Sequence, residues 1–158
     1  YKSKSFEEIN RSVNFIKGID HEIKLHVNYC KKWKISLRSL SKIKVEKTNS
    51  AYTNHVLIVG KNGDNLDIFS CLSPCIIGYG EIGFKLSKIR NWKKSKYSSW
   101  IKMYSSKEYQ KVAKENIAYL DVLFNGNKDK NLVKLKKNFK KSTVLETDFW
   151  QCFTNLKN

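Results

Sequence analysis

Apolar residues along this 158-residue chain recur at steps of three and four, and no stretch of any length alternates apolar with polar. That period fits the 3.6-residue turn of an α-helix and not the two-residue repeat of a strand. The constraint is tightest after the turn "GKNGDN", where Asp64 or Asn65 is placed to cap a helix. Ile68, Leu72, Cys75, Tyr79, Ile82 and Leu86 then follow at steps of four, three, four, three and four. A single stripe presents a thiol and a phenol one helical turn apart.

The same periodicity predicts helices elsewhere. Phe6, Ile9, Val13, Ile16, Ile23, Val27 and Cys30 form one stripe, interrupted at Asp20, with Gly18 placed to mark a bend. "SLRSLSKIKVEKTNS" reads as a connecting segment with one helical turn. Ser50 is placed to cap a short helix carrying Tyr52, Val56 and Val59, although "HVLIVG" by itself also suits a strand. A short helical stretch over 97–104 precedes Ser105 and Glu108, which have capping-box spacing. They open a helix through Tyr109, Val112, Asn116, Leu120 and Leu123 or Phe124. After the polar break "NGNKDKN", a last helix aligns Leu132, Leu135, Phe139, Ser142, Glu146, Phe149 and Phe153. The expected fold is all-α, in one domain over residues 1–158.

The formal net charge of +17 invites a nucleic-acid partner. Only Arg11, Arg38 and Arg90 are arginines, however, so lysine supplies nearly all of the positive charge without the planar fork that groove and phosphate readers use. The lysines are spread along the chain, as on a solvated surface, and no nucleic-acid partner is expected. No apolar run approaches the roughly 20 residues of a membrane helix, so no membrane is expected either. Cys30, Cys71, Cys75 and Cys152 read as reduced thiols of a cytoplasmic protein rather than a disulfide framework.

Three local patterns compete for chemistry. "GYGEIG" has the glycine spacing of a dinucleotide loop, but it lies inside a helical stripe rather than after a strand, so no cofactor is expected. Small residues there suit the close approach of a helix or a flat ligand. "HEIKLH" resembles a zinc-binding pair, yet His21 and His26 point about 140° apart on a helix, and no metal is expected. Pro74 instead bends its helix just before Cys75 and frees a carbonyl. Glu146, in the middle of an apolar stripe, is either paired or kept partly protonated by burial, which suits proton transfer. Phe149, three residues on, is placed to stack on a flat substrate.

These residues resemble the thiaminase II (TenA) family of aminopyrimidine hydrolases. "AYTNHVLIVGKNGDNLDIFSCLSPCIIGYGEIGFKL" is similar to the family's Y-T-x-H/Y segment followed by L-x-P-C-x-x-x-Y-x-E-x-G. "YSSWIKMYSSKEY", "ETDFWQ" and "EIKLHVNYCKKWKIS" resemble its Y-x-x-W-I-x-x-Y, E-x-x-F-W and E-x-x-L-H segments. The resemblance implies a haem-oxygenase-like helical bundle without haem, assembled as a homotetramer. It implies hydrolytic release of hydroxymethylpyrimidine from degraded thiamin and from thiamin. By motif position Cys75 is the nucleophile and Glu146 the proton-transferring carboxylate, with Tyr104 helping the thiol to ionise. Tyr52, Tyr79 and Phe149 match substrate-binding aromatics, and Cys71 matches no catalytic position. The family opens with further helices that supply an aspartate gripping the pyrimidine amino group. This sequence starts downstream of them, so an incomplete N-terminus is expected.

Overall fold

In a computed structural model, which describes residues 2–127 and 131–154, every regular element is helical. The chain divides into two compact units, residues 1–46 and 47–158. No helix among the described residues is long and apolar enough to cross a membrane.

The first unit is built on α1 (Phe6–Lys32) and the single turn α2 (Leu37–Leu40). Ser5 caps α1 by accepting from the Glu8 amide at 3.2 Å. Glu7 and Glu8 stand in its first turn and Lys31 and Lys32 in its last, each charge opposing the adjacent end of the helix dipole. The helix runs unbroken through Gly18, and Asp20 is accommodated by Lys24 one turn on, at 2.5 Å. It ends where Lys34 turns left-handed (φ 60°) and the Ile35 amide reaches back to the Cys30 carbonyl at 2.8 Å. Along the predicted stripe, Phe6, Ile9, Val13, Ile16 and Ile23 are all exposed. Tyr29 is buried, stacked on Trp33 at 5.8 Å.

The second unit comprises α3 (Lys47–Asn62), α4 (Asn65–Leu86), a 3-10 turn (Trp92–Lys94), α5 (Ser98–Tyr104), α6 (Lys107–Gly126) and α7 (Leu132–Thr154). The segment "HVLIVG" is helical within α3, which starts at Lys47, three residues before the expected cap Ser50. The cap of α6 also shifts by one: Ser106 accepts from the Tyr109 amide at 3.1 Å, while Ser105 closes α5. The expected break "NGNKDKN" lies partly outside the described residues, over 128–130.

Helix α4 is the centre of this unit, packed against α3, α5, α6 and α7. Its start is a full capping box, with Asp64 accepting from the Asp67 amide at 3.0 Å and Asp67 accepting from the Asp64 amide at 3.2 Å. Both carboxylates also reach other elements: Asp64 accepts from Asn127 at 2.8 Å, and Asp67 from Lys134 at 2.6 Å and Asn138 at 3.4 Å. The hydroxyls of Ser70 and Ser73 donate to the carbonyls of Asp67 and Phe69, each at 2.6 Å, just before Pro74. The helix continues through that proline.

The stripe foreseen on α4 is not the face it buries most deeply. Ile68, Leu72, Cys75, Tyr79, Ile82 and Leu86 are all half-buried, while Leu66, Phe69, Ser73, Ile76, Gly80 and Gly83 are buried. A helix enclosed on several sides is apolar nearly all round, so periodicity alone does not orient it. Gly83 shows why the small residues are there. A Cβ at that position would lie 2.5 Å from the Tyr104 Cβ and 2.8 Å from the Tyr104 carbonyl carbon, whereas one at Gly78 would meet nothing within 4 Å.

Gly83→Ala should therefore destabilise the protein by about 1–3 kcal/mol, because α5 must retreat. Gly78→Ala, in the same helix, should stabilise it by up to about 1 kcal/mol through helix propensity alone. Urea unfolding of both variants measures the contrast, and equal effects would overturn it.

Candidate active site

Helices α4 and α7 meet in a constant register. Asn138 donates to Asp67 at 3.4 Å. Four residues on along each helix, the Ser142 hydroxyl lies beside the Cys71 thiol. Eight residues beyond that pair, the rings of Tyr79 and Trp150 lie 5.7 Å apart. Steps of four along both helices follow the i±4 ridges by which helices most often interdigitate, and their common direction makes the pair parallel. Cys75 and Glu146 stand midway between the second and third of these contacts, four residues from each on their own helices.

Helix α3 crosses this pair with two side chains. The Tyr52 hydroxyl donates to the Cys71 carbonyl at 3.3 Å, and His55 Nε2 lies 3.6 Å from the Cys71 Sγ. The Tyr52 phenol is pushed well above its ordinary range, first by burial and then by the charges of Cys75 and Glu146, with lesser effects from Cys71 and Tyr79. One phenol on α3 thus feels a thiol on α4 and a carboxyl on α7. Glu146 itself is half-buried, and burial pushes its carboxyl upward. Its Oε2 is enclosed with no hydrogen-bond partner among the described residues. Burial likewise raises the Cys71 thiol, against the hydroxyls of Ser142 and Ser70 beside it, and Cys71 is fully buried.

Aromatic rings make the next layer. Tyr104, 1% exposed, holds its ring tilted 5.2 Å from Tyr79 and 4.5 Å from Trp100, and edge-on at 4.7 Å to Tyr109. The close approach at Gly83 brings it there. Gln110 fixes the same junction, its Nε2 donating to the carbonyls of Gly80 and Tyr104 at 2.9 Å each. Tyr109 donates to the Ile76 carbonyl at 3.2 Å.

A pocket of about 260 Å³ opens beside this layer, lined by Pro74, Gly78, Tyr79, Glu146, Thr147 and Trp150 among others. Of the six residues singled out in the sequence, it brings together Tyr79 and Glu146. Cys75 and Tyr52 join them through the electrostatic neighbourhood of the Tyr52 phenol, and Tyr104 through its ring contact with Tyr79. Phe149 is half-buried, edge-on to Phe153 at 5.2 Å, and does not line the pocket.

Two residues of this site stood in the quoted motifs without being given a role. Trp150 lies four residues after Glu146, and with Thr143 and Thr147 it completes a helical stripe that the spacing contains. His55 is the last position of the quoted Y-T-x-H/Y segment, but its partner Cys71, 16 residues away on another helix, leaves no trace in the spacing. Chemically, a carboxyl held toward its protonated form near a thiol, flanked by aromatic faces and a slot at Gly78, can bind a flat ring and pass it protons while sulfur attacks.

The family model for the TENA/THI-4/PQQC family matches residues 1–155. Among curated relatives, an aminopyrimidine aminohydrolase of Halalkalibacterium halodurans is 36% identical over 85% of this chain and 60% of its own length. One from Helicobacter pylori is 30% identical over 84% of this chain and 61% of its own. The chain thus spans about three-fifths of these two enzymes. The crystal structure of a TenA family transcription regulator from Silicibacter sp. TM1040 superposes with a TM-score of 0.88 at 31% identity. It covers 96% of this chain and 69% of the other.

Because burial raises the Glu146 carboxyl, folding favours its protonated form. The stabilising contribution is present below the ordinary carboxyl value and is lost as pH rises through the raised one. Glu146→Gln should therefore melt higher than the parent protein at pH 7, and the gap should close as pH falls toward about 4. Thermal unfolding across that range measures it; a Gln variant that melts lower at pH 7 would show the carboxylate to be paired.

Proposed function

The chain belongs to the TENA/THI-4/PQQC family, and from that premise we propose that it is an aminopyrimidine aminohydrolase of thiamin salvage, using Cys75 as nucleophile and Glu146 as acid and base. The observation that carries this is the register of α4 and α7. With Cys71 beside Ser142 on one side and Tyr79 against Trp150 on the other, continuity of the two helices favours Cys75 opposite Glu146. The aminohydrolase names of the two bacterial relatives supply the reaction class.

In this chemistry the Cys75 sulfur forms a bond to a carbon of the pyrimidine ring, and the displaced electron pair is taken up at a ring nitrogen protonated by Glu146. The aminomethyl group then loses its amine, water adds to the methylene carbon, and the carbon–sulfur bond breaks to regenerate the thiol. Atoms balance as aminomethylpyrimidine plus water giving hydroxymethylpyrimidine plus ammonia. Glu146 suits both proton transfers because burial brings its carboxyl closer to neutrality. Tyr79 and Trp150, which line the pocket, offer faces for a flat ring, and Tyr52 a hydroxyl near the sulfur. Tyr104 assists ionisation of the thiol, and intact thiamin is a second substrate; the ring-packing role that the family resemblance gives Phe149 finds no support in its place outside the pocket lining. A single TenA-like domain, a homotetramer and a cytoplasmic setting complete the proposal, all on the strength of the family resemblance.

A second possibility is a member of the fold that binds the pyrimidine without turning it over, favoured by the description of the solved relative as a transcription regulator. Binding of hydroxymethylpyrimidine with no hydrolysis would select it.

Incubation with aminomethylpyrimidine and with thiamin, followed by detection of hydroxymethylpyrimidine, separates the two. Cys75→Ser and Glu146→Gln should each lower kcat by about a thousandfold or more while helical content is kept. Cys30→Ser, a thiol of the first unit, should retain turnover. Near-normal hydrolysis by Cys75→Ser would remove the nucleophile assignment.

A further inference from the structure

One helical turn from the proposed reactive pair lies a second polar layer. Cys71 is four residues before Cys75 on α4, Ser142 four before Glu146 on α7, and His55 three after Tyr52 on α3. His55 Nε2 contacts the Cys71 Sγ at 3.6 Å, and Tyr52 donates to the carbonyl of that same residue at 3.3 Å. Two side chains on neighbouring turns of α3 therefore grip one residue of α4, one by its side chain and one by its backbone.

Cys71 has no exposed surface and does not line the pocket, so its thiol is no nucleophile there. It serves instead as a fixed hydrogen-bonding point. His55, half-buried and aligned one turn along the helix, meets it from the same side as Tyr52.

We propose that His55 is a positioning residue of the hydrolytic site: its bond to the Cys71 thiol locks α3 onto α4 so that the Tyr52 hydroxyl stays on the Cys71 carbonyl, beside Cys75. This rests on the aminohydrolase reading, and His55 itself touches neither the substrate nor the reacting atoms. Loss of the bond frees α3 to slide, and small displacements of an aligning group cost orders of magnitude in rate.

The test is a double-mutant cycle on turnover of aminomethylpyrimidine by the full chain. His55→Leu should lower kcat about 10- to 100-fold with KM changed less, and His55→Gln, which keeps an N–H near Nε2, should recover most of it. Tyr52→Phe should lower kcat as well. If His55 acts through Tyr52, adding His55→Leu to Tyr52→Phe costs little more, because the two changes are coupled. Independent, multiplying effects, or a failure of Gln to rescue a folded variant, would overturn the proposal. Absence of turnover by the unaltered protein would instead overturn the aminohydrolase reading on which it stands.

Discussion

The geometry of the second unit hangs on a carboxylate at the start of its central helix. Asp67 completes the capping box of α4 through Oδ2, which also accepts from Lys134 on α7, while its Oδ1 accepts from Asn138 on the same helix. A buried carboxylate is tolerated only when such partners satisfy it, so its demands are directional and strict. Once Asn138 is fixed against Asp67, the two helices can advance only in step. Ser142 then falls beside Cys71 and Trp150 against Tyr79. A local requirement, ending a helix properly, has become a long-range ruler.

The site also needs backbones that come unusually close. Gly83 removes the one atom that would hold α5 away, and Tyr104 takes up the space against α4. Its ring then closes on Tyr79, which lines the pocket. Gln110 holds the two helices at that distance by donating to a carbonyl of each. The "GYGEIG" glycines thus divide their labour: Gly83 admits a helix, while Gly78 borders open space in the pocket.

Most of this architecture was legible in the chain because helical period is written in every few residues. What periodicity could not supply was orientation and edges. On α4 the apolar residues surround the axis, so Ile68, Leu72 and Ile82 looked like core while Phe69, Ser73 and Ile76 hold it. At α6 two adjacent serines, Ser105 and Ser106, can both cap, and the choice fell to how α5 ends. Cys75, Tyr79 and Glu146 were visible as chemistry stranded at inward positions, and Tyr104 only through the family resemblance. His55 stood in the quoted Y-T-x-H/Y segment without a role, since a histidine's partner across a helix hairpin leaves no trace in spacing.

The ruler between α4 and α7 also has a bearing on how the protein is made. Asp67 and Asn138 are 71 residues apart in the chain. By contrast, α3 and α4 are joined by a tight turn, and the capping box spans three residues. Local contacts form fast, and contacts across long loops wait for chain closure. The α3–α4 hairpin brings Tyr52 and His55 to Cys71 through contacts short in sequence. Glu146 arrives only with α7. On the proposed reading, bringing the Glu146 carboxyl to the Cys75 sulfur waits for the long-range contact between Asp67 and α7.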